Sequence, residues 1–138
     1  NNFYEWYRSV HNKFLNENPK LRDWAPMNDY QDMNQNRENG LLWYLYNGNK
    51  IAGLIEAERD EYLGTSSIYM CEILLDKPYR GKGLAPSFQI EFLRKTNSKN
   101  DYVWGTIDSK NTPSLKTAFR VGRRCIRSEY FVPISNVI

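Results

Sequence analysis

The 138-residue chain is the size of one compact domain, and its 41% hydrophobic and 25% charged residues are the proportions of a globular protein, not a disordered one. A formal charge of +3 with no long Lys/Arg block is a poor basis for nucleic-acid binding, and no apolar run approaches the roughly 20 residues that cross a bilayer. Cys71 and Cys125 lie far apart with no C-x-x-C spacing, which speaks for free thiols and against a metal site, and NNFYEWYRSV lacks the pattern of a signal peptide; one domain over 1–138, cytoplasmic and without metal, is the expectation.

Asn2 followed by Glu5 resembles a capping box, and Phe3, Trp6/Tyr7, Val10 and Phe14 recur at helical spacing until Asn18-Pro19, so the chain is predicted to open with a helix. His11 falls on that helix with no carboxylate at catalytic spacing, and reads as a packing or surface histidine. A short second helix is predicted over 28–38. LLWYLY (41–46), NGN (47–49) and KIAGLIEAE (50–58) predict an antiparallel hairpin, followed by a polar loop RDEYLGTS. SIYMCEILL (67–75) is apolar at both parities, as suits a central strand covered on both faces. After a glycine-bearing turn, Pro86 sits in the first turn of a helix whose apolar side carries Phe88, Phe92 and Leu93. A strand over 102–107, a helix over 112–121 ended by Gly122, and a last strand or hairpin over 124–134 complete the reading.

The turn Arg80-Gly81-Lys82-Gly83 joins a strand to a helix N-terminus, where unpaired amides carry partial positive charge and glycines let an anion approach the backbone. Arg80 and Lys82 add mobile cations. The spacing is not that of a nucleotide-binding P-loop, which would need Gly at 76 and Ser or Thr at 83 where this chain has Asp76 and Gly83. Nor is it a dinucleotide fingerprint, because Pro86 stands where the third glycine belongs. What remains is R-x-x-G-x-A: Arg80, Gly83 and Ala85.

That pattern resembles the pyrophosphate-binding motif of the GNAT superfamily of N-acetyltransferases, written Q/R-x-x-G-x-G/A. ILLDKPYRGKGLA is similar to the strand, acidic-proline turn and loop of that family, and NTPSLKTAFRVG to its following helix motif, together covering roughly 67–122. The resemblance implies an α/β fold with a mixed, mostly antiparallel central sheet, flanking helices, and a splayed parallel strand pair, here 67–75 and 102–107, that admits acetyl-CoA. It further implies that Ile73, Leu74 and Leu75 offer main-chain contacts to pantetheine, and that Arg80, Gly81, Lys82, Gly83, Leu84 and Ala85 hold the pyrophosphate. Asn111 and Ser114 stand where family members reach the pantetheine arm, and read equally well as a helix-capping pair. The activity implied is acetyl transfer from acetyl-CoA to a primary amine of a small molecule or protein. Families of this fold normally begin with a β-strand, which is expected upstream of Asn1 or from another subunit; a homodimer stays open as a partner.

Acyl transfer to an amine requires a base and an acid. Glu72, just before the pantetheine-pairing residues, is the candidate base, set against a polar strand residue paired to a cation. The tyrosine that many family members use as acid is replaced by Ala118, and Thr106 stands where protein N-terminal acetyltransferases of the ribosomal type carry a glutamate. Tyr69 and Tyr130 are the substitute phenols, with packing as their alternative role. Period-two alternation places Glu56 and Glu58 on one face of their strand, an acidic wall for a cationic amine or a charge-protected edge. Two other functions compete: a GNAT-like module that binds acyl-CoA without turnover, and a phosphate or nucleic-acid binder using Arg80 and Lys82.

Overall fold

The computed structural model describes residues 3–97 and 101–134. Helix α1 (Phe3–Glu17) turns Phe3, Tyr7 and Val10 to one side, where all three are buried; the cap expected at Asn2 lies outside the described residues. Asn18 closes α1 by donating to the Phe14 carbonyl at 2.9 Å, and Pro19 stops it. Helix α2 (Tyr30–Glu38) is capped by Asp29, whose carboxylate accepts from the Gln31 and Asp32 amides, and it buries Met33 and Asn36.

Strands β1 (Leu42–Asn47), β2 (Lys50–Tyr62) and β3 (Thr65–Leu75) form an antiparallel meander. The polar stretch 59–62, expected as loop, extends β2 instead. Charged residues are tolerated there because the ladder projects past the core into solvent, and the reversal is made by Leu63 and Gly64, both at positive φ (52° and 75°), the geometry of a tight hairpin turn. Strand β4 (Tyr102–Trp104) pairs parallel to β3 with Ser67 opposite Tyr102 and Tyr69 opposite Trp104, giving the order β1-β2-β3-β4. It is shorter than the 102–107 expected. Helix α3 (Leu84–Thr96) bridges β3 and β4, and α4 (Thr112–Arg120) follows.

Two apolar clusters sandwich the sheet. Phe3, Tyr7, Val10 and Met33 meet Leu42, Leu54 and Leu74 on the α1/α2 side. Phe88 and Phe92 of α3 meet Leu41, Ile55, Ala57, Ile68 and Met70 on the other. This mixed, mostly antiparallel α/β architecture with one parallel pair is the fold class expected. The strand expected over 124–134 does not form: residues 124–133 are neither helix nor strand, and Ile126, Tyr130, Phe131 and Val132 are exposed. β-propensity expresses itself only against a partner strand, and none of the described strands pairs with this segment. No helix among the described residues is long and apolar enough to cross a membrane.

Gly53 is fixed by space, since a Cβ there would lie 2.5 Å from Leu75 Cδ2 and 3.2 Å from the Leu74 carbonyl oxygen. Gly53→Val should lower stability by about 1–3 kcal/mol through overpacking of the β2/β3 ladder. Urea unfolding measures it; an unchanged midpoint would contradict this packing.

Candidate active site

The site grows from an irregularity in β3. Glu56 opposes Glu72 and Ala57 opposes Met70, so Cys71 is an extra residue with nothing opposite it, a β-bulge. The bulge inverts the strand's alternation. Ile68 and Met70 pack on the α3 side, yet Leu74, of the same parity, packs on the α1 side. Glu72 turns with it, and its carboxylate meets Tyr7 of α1.

The parallel ladder with β4 ends at Tyr69 and Trp104, two residues before the bulge. Beyond that point Ile73, Leu74 and Leu75 keep β2 on one side, opposite Ile55, Leu54 and Gly53, without a β4 ladder on the other. The β4 ladder therefore ends before Ile73–Leu75, the residues expected to face the coenzyme. Gly105 follows β4 directly; a Cβ there would lie 3.2 Å from the Met70 carbonyl oxygen, so glycine permits the backbones to stay close as they begin to diverge.

At the far end of β3, Asp76 accepts from the Lys77 amide at 2.8 Å and starts a short 3-10 turn, Lys77–Tyr79. Gly81 and Gly83 have φ of 72° and 73°, and nothing lies within 4 Å of where their Cβ atoms would be. Backbone conformation, not crowding, selects glycine here. Gly83 is the N-cap of α3 and provides no side-chain acceptor, while the amides of Leu84 and Ala85 have no intrahelical partner by position. The result is an open, positively polarised helix end beside the parting strands.

Arg80 corrects one expectation. Its guanidinium is not mobile: Nε donates to the Leu75 carbonyl at 2.8 Å, Nη1 meets Glu17 at 3.1 Å, and the group lies 5.4 Å from the Phe14 ring centroid. It ties the turn to α1, leaving Lys82 as the exposed cation of the motif. Asn111 is the N-cap of α4, and its side-chain oxygen accepts from the Ser114 amide at 3.4 Å, so the capping role of this pair is realised.

Glu56 is a second correction. It is 1% exposed, with Oε1 accepting from Asn36 Nδ2 at 2.9 Å and Oε2 from Asn28 Nδ2 at 2.8 Å. It is therefore no part of a solvated acidic wall; alternation fixes the side of a strand, whereas α2 and the segment before it decide what is covered. Glu58 remains exposed, and with Asp60, Tyr69, Trp104, Thr106 and Arg127 it lines an open cleft of about 390 Å³ where β3 and β4 separate. The Tyr69 hydroxyl is 3.0 Å from Thr106 Oγ1, and its ring stands edge-on to Trp104. Tyr130, in the irregular segment, is 86% exposed, and Ala118 is buried in α4.

Glu72 sits among groups the sequence did not bring together. Tyr7 donates to Oε2 at 3.2 Å, the Ile73 amide donates to Oε1 at 3.0 Å, and His11 Nε2 lies 4.0 Å from Oε2. Although 18% of its side chain is still exposed, burial pushes the Glu72 carboxyl up to about 7, the charge of Glu56 adds to this, and the two hydrogen bonds oppose it. Burial raises Glu56 as well, against the pull of its two amide donors. Tyr7 is pushed far up, chiefly by burial, and stays a neutral donor; burial pushes His11 down, so it is neutral at pH 7. Burial also pushes the Cys71 thiol up, helped by the neighbouring carboxylates, which removes it as a nucleophile. Tyr7 and His11 were visible in the sequence only as an i, i+4 pair on a buried stripe; Glu72 is 61 residues beyond His11 and reaches it through the bulge. A carboxylate of near-neutral affinity beside an opening between strands can take a proton from an amine. Among the described residues, no group of three or more His, Cys, Asp or Glu side chains is arranged to hold a metal ion.

The sequence profile described as the acetyltransferase (GNAT) family matches residues 1–118. No curated protein matches the sequence. Among solved structures, a mutant of the BH1408 protein from Bacillus halodurans superposes with a TM-score of 0.67 at 16% identity, over 96% of this chain and 93% of that one. The apo aminoglycoside antibiotic 6'-N-acetyltransferase AAC(6')-IG from Acinetobacter haemolyticus gives 0.60 at 16% identity, over 83% and 88%. AAC(6')-Iy in complex with the bisubstrate analogue CoA-S-monomethyl-acetylneamine gives 0.63 at 17% identity, over 83% and 85%. At such identities the likeness is one of fold.

The raised affinity of Glu72 for protons has a thermodynamic sign. Its folded value, about 7, exceeds the ordinary 4.5, so its favourable contribution is complete below the unfolded value and is lost as pH rises through 7. Glu72→Gln should therefore stabilise the protein at pH 8, on the order of 2 kcal/mol, and do little at pH 5. Urea unfolding at both pH values tests this, and an equal effect at the two would contradict it.

Proposed function

Because the chain belongs to the acetyltransferase (GNAT) family, we propose that it transfers an acetyl group from acetyl-CoA to a primary amine of a small molecule or protein. The observation that carries this reading is the parting of β3 from β4 at the Cys71 bulge, with the open N-terminus of α3 at one end and Glu72 beside the gap. The residues fit the coenzyme: left-handed glycines leave clear space over the amides of Gly81–Ala85 for a diphosphate, with Lys82 as the exposed cation. The edge of β3 at Ile73, Leu74 and Leu75, which has no ladder with β4, offers its remaining backbone groups to an extended amide-bearing arm, the Ile73 amide and the Leu75 carbonyl being already engaged by Glu72 and Arg80. Arg80 acts from behind, fixing the turn. Asn111 and Ser114, already engaged in capping α4, present the start of that helix to the same arm.

The coenzyme supplies the activated acetyl group as a thioester. Glu72 would take a proton from the acceptor ammonium, a task suited to a carboxyl near 7. This frees the neutral amine to form the amide bond as the thioester C–S bond breaks, the second nitrogen proton leaving with the thiol of coenzyme A. Glu58 and Asp60, with the rings of Tyr69 and Trp104, line a cleft that favours a cationic acceptor, the one cation that also lines it, Arg127, being paired with Glu129. The aminoglycoside acetyltransferase and the acetylneamine complex among the similar structures fit that acceptor class. Ala118 motivates a second reading, a module that binds acyl-CoA without turnover, since no phenol occupies that position.

Calorimetry with acetyl-CoA and a turnover screen over polyamines, aminoglycosides and lysine peptides separates the two. We expect binding and product. Gly83→Val should weaken acetyl-CoA binding tenfold or more, while Glu72→Gln keeps binding and lowers kcat by about 10²–10⁴. Binding without product on any amine would favour the module, and absent binding would remove both readings. Glu58→Gln with Asp60→Asn should raise the acceptor KM several-fold and leave that of acetyl-CoA unchanged; an unmoved acceptor KM would place the amine elsewhere.

A further inference from the structure

Two side chains of α1 converge on one oxygen of Glu72. The Tyr7 oxygen accepts from the Asn28 amide at 2.9 Å, which occupies a lone pair and leaves its hydrogen to be directed at Glu72 Oε2, 3.2 Å away. One helical turn on, His11 is 3% exposed, holds its ring tilted 5.3 Å from that of Tyr7, and brings Nε2 to 4.0 Å from the same Oε2. His11 Nδ1 is buried without a partner. That orphan settles the tautomer. A proton on Nδ1 would bury an unsatisfied N–H at a cost of about 1–3 kcal/mol and turn the Nε2 lone pair towards the carboxylate; a proton on Nε2 avoids both. Neutral His11 thus points an N–H dipole at Glu72 from beyond hydrogen-bond distance.

The rest of the surroundings leaves this arrangement alone. Glu56, opposite Glu72 on β2, has both oxygens occupied by Asn28 and Asn36, so it does not compete for the Tyr7 hydrogen. Asn28 serves both carboxylates, through its backbone to Tyr7 and through its side chain to Glu56. Glu56, Glu58, Asp32 and the neutral Cys71 thiol are the other titratable groups around this region; the Glu56 carboxylate opposes ionisation of Glu72, while Glu58 and Asp32 act on Glu56 and Cys71.

We infer that Tyr7 and His11 are positioning residues for Glu72, Tyr7 by its hydrogen bond to Oε2 and His11 by the N–H dipole it points at the same oxygen from 4.0 Å, so that the carboxylate stays aimed at the strand gap and keeps its ionised form despite burial beside Glu56. This rests on the proposed role of Glu72 as base. Loss of the Tyr7 donor should move the acid limb of the kcat profile up by roughly one pH unit and lower kcat at pH 7, with the KM for acetyl-CoA unchanged. His11→Leu should act in the same direction but more weakly, and His11→Gln, which restores a buried N–H dipole, should recover most of the parental profile.

The test measures pH–rate profiles of Tyr7→Phe, His11→Leu and His11→Gln together with a carbon-13 NMR titration of the Glu72 carboxyl in each free protein. An upward shift in both readouts for Tyr7→Phe and His11→Leu, with recovery in His11→Gln, supports the inference. Titrations that match the parent in both damaging variants overturn it. If His11→Leu does not fold, Tyr7→Phe, which loses only an oxygen, decides. Parental activity in Glu72→Gln would instead sink the base assignment, while the NMR titration would still report whether α1 holds the carboxylate.

Discussion

One additional residue in a strand organises the site. Without Cys71 opposite nothing, β3 would keep strict alternation, and Glu72 would face α3 along with Ile68 and Met70. The bulge sends it to the opposite side, under α1, and the bend it introduces coincides with the end of the β3/β4 ladder. A carboxylate facing one way and an unpaired strand edge facing another thus have a common origin. The glycine turn at the end of β3 adds an uncapped helix terminus to the same opening.

Placing Glu72 and Glu56 opposite each other in a covered region costs free energy, and the local polar groups limit that cost unequally. Glu56 has two amide donors from Asn28 and Asn36. Glu72 has a phenol, its neighbouring backbone amide and a distant imidazole. Two carboxylates in unlike settings divide the labour: one is a fixed structural acceptor, the other is left with a proton affinity near neutrality. The neutral ring of His11 adds a dipole without adding a charge. Arg80 follows the same economy, since its charge is spent on Glu17 and the Leu75 carbonyl, and the amides of the turn are kept free of it.

Features with local chemical causes were legible in the sequence. The stripe on α1, the Asn47-Gly48 turn and the glycines before α3 each act within a few residues, and each predicted element formed there. Features decided by distant partners were not. The charges at 59–61 look like a loop until β3 is seen pairing with them. The stretch 124–134 has strand composition but pairs with none of the described strands. The apolar run 67–75, legible as a strand covered on both faces, hides a change of parity at Cys71. Glu56 and Glu58 share a spacing yet differ in fate because Asn28 and Asn36 cover only the first. His11 looked solitary for the same reason, its neighbour being on another element.

The most direct measurement of this picture is a crystal structure of the protein grown with excess acetyl-CoA. The expected density is a pantetheine arm lying along the β3 edge past Leu75 and Ile73, a diphosphate on the amides of Gly81–Ala85, and the thioester on the side of the gap that Glu72 faces. A coenzyme bound away from this gap, or β4 closed against β3 through Leu75 with the helix end capped by the protein itself, would contradict it.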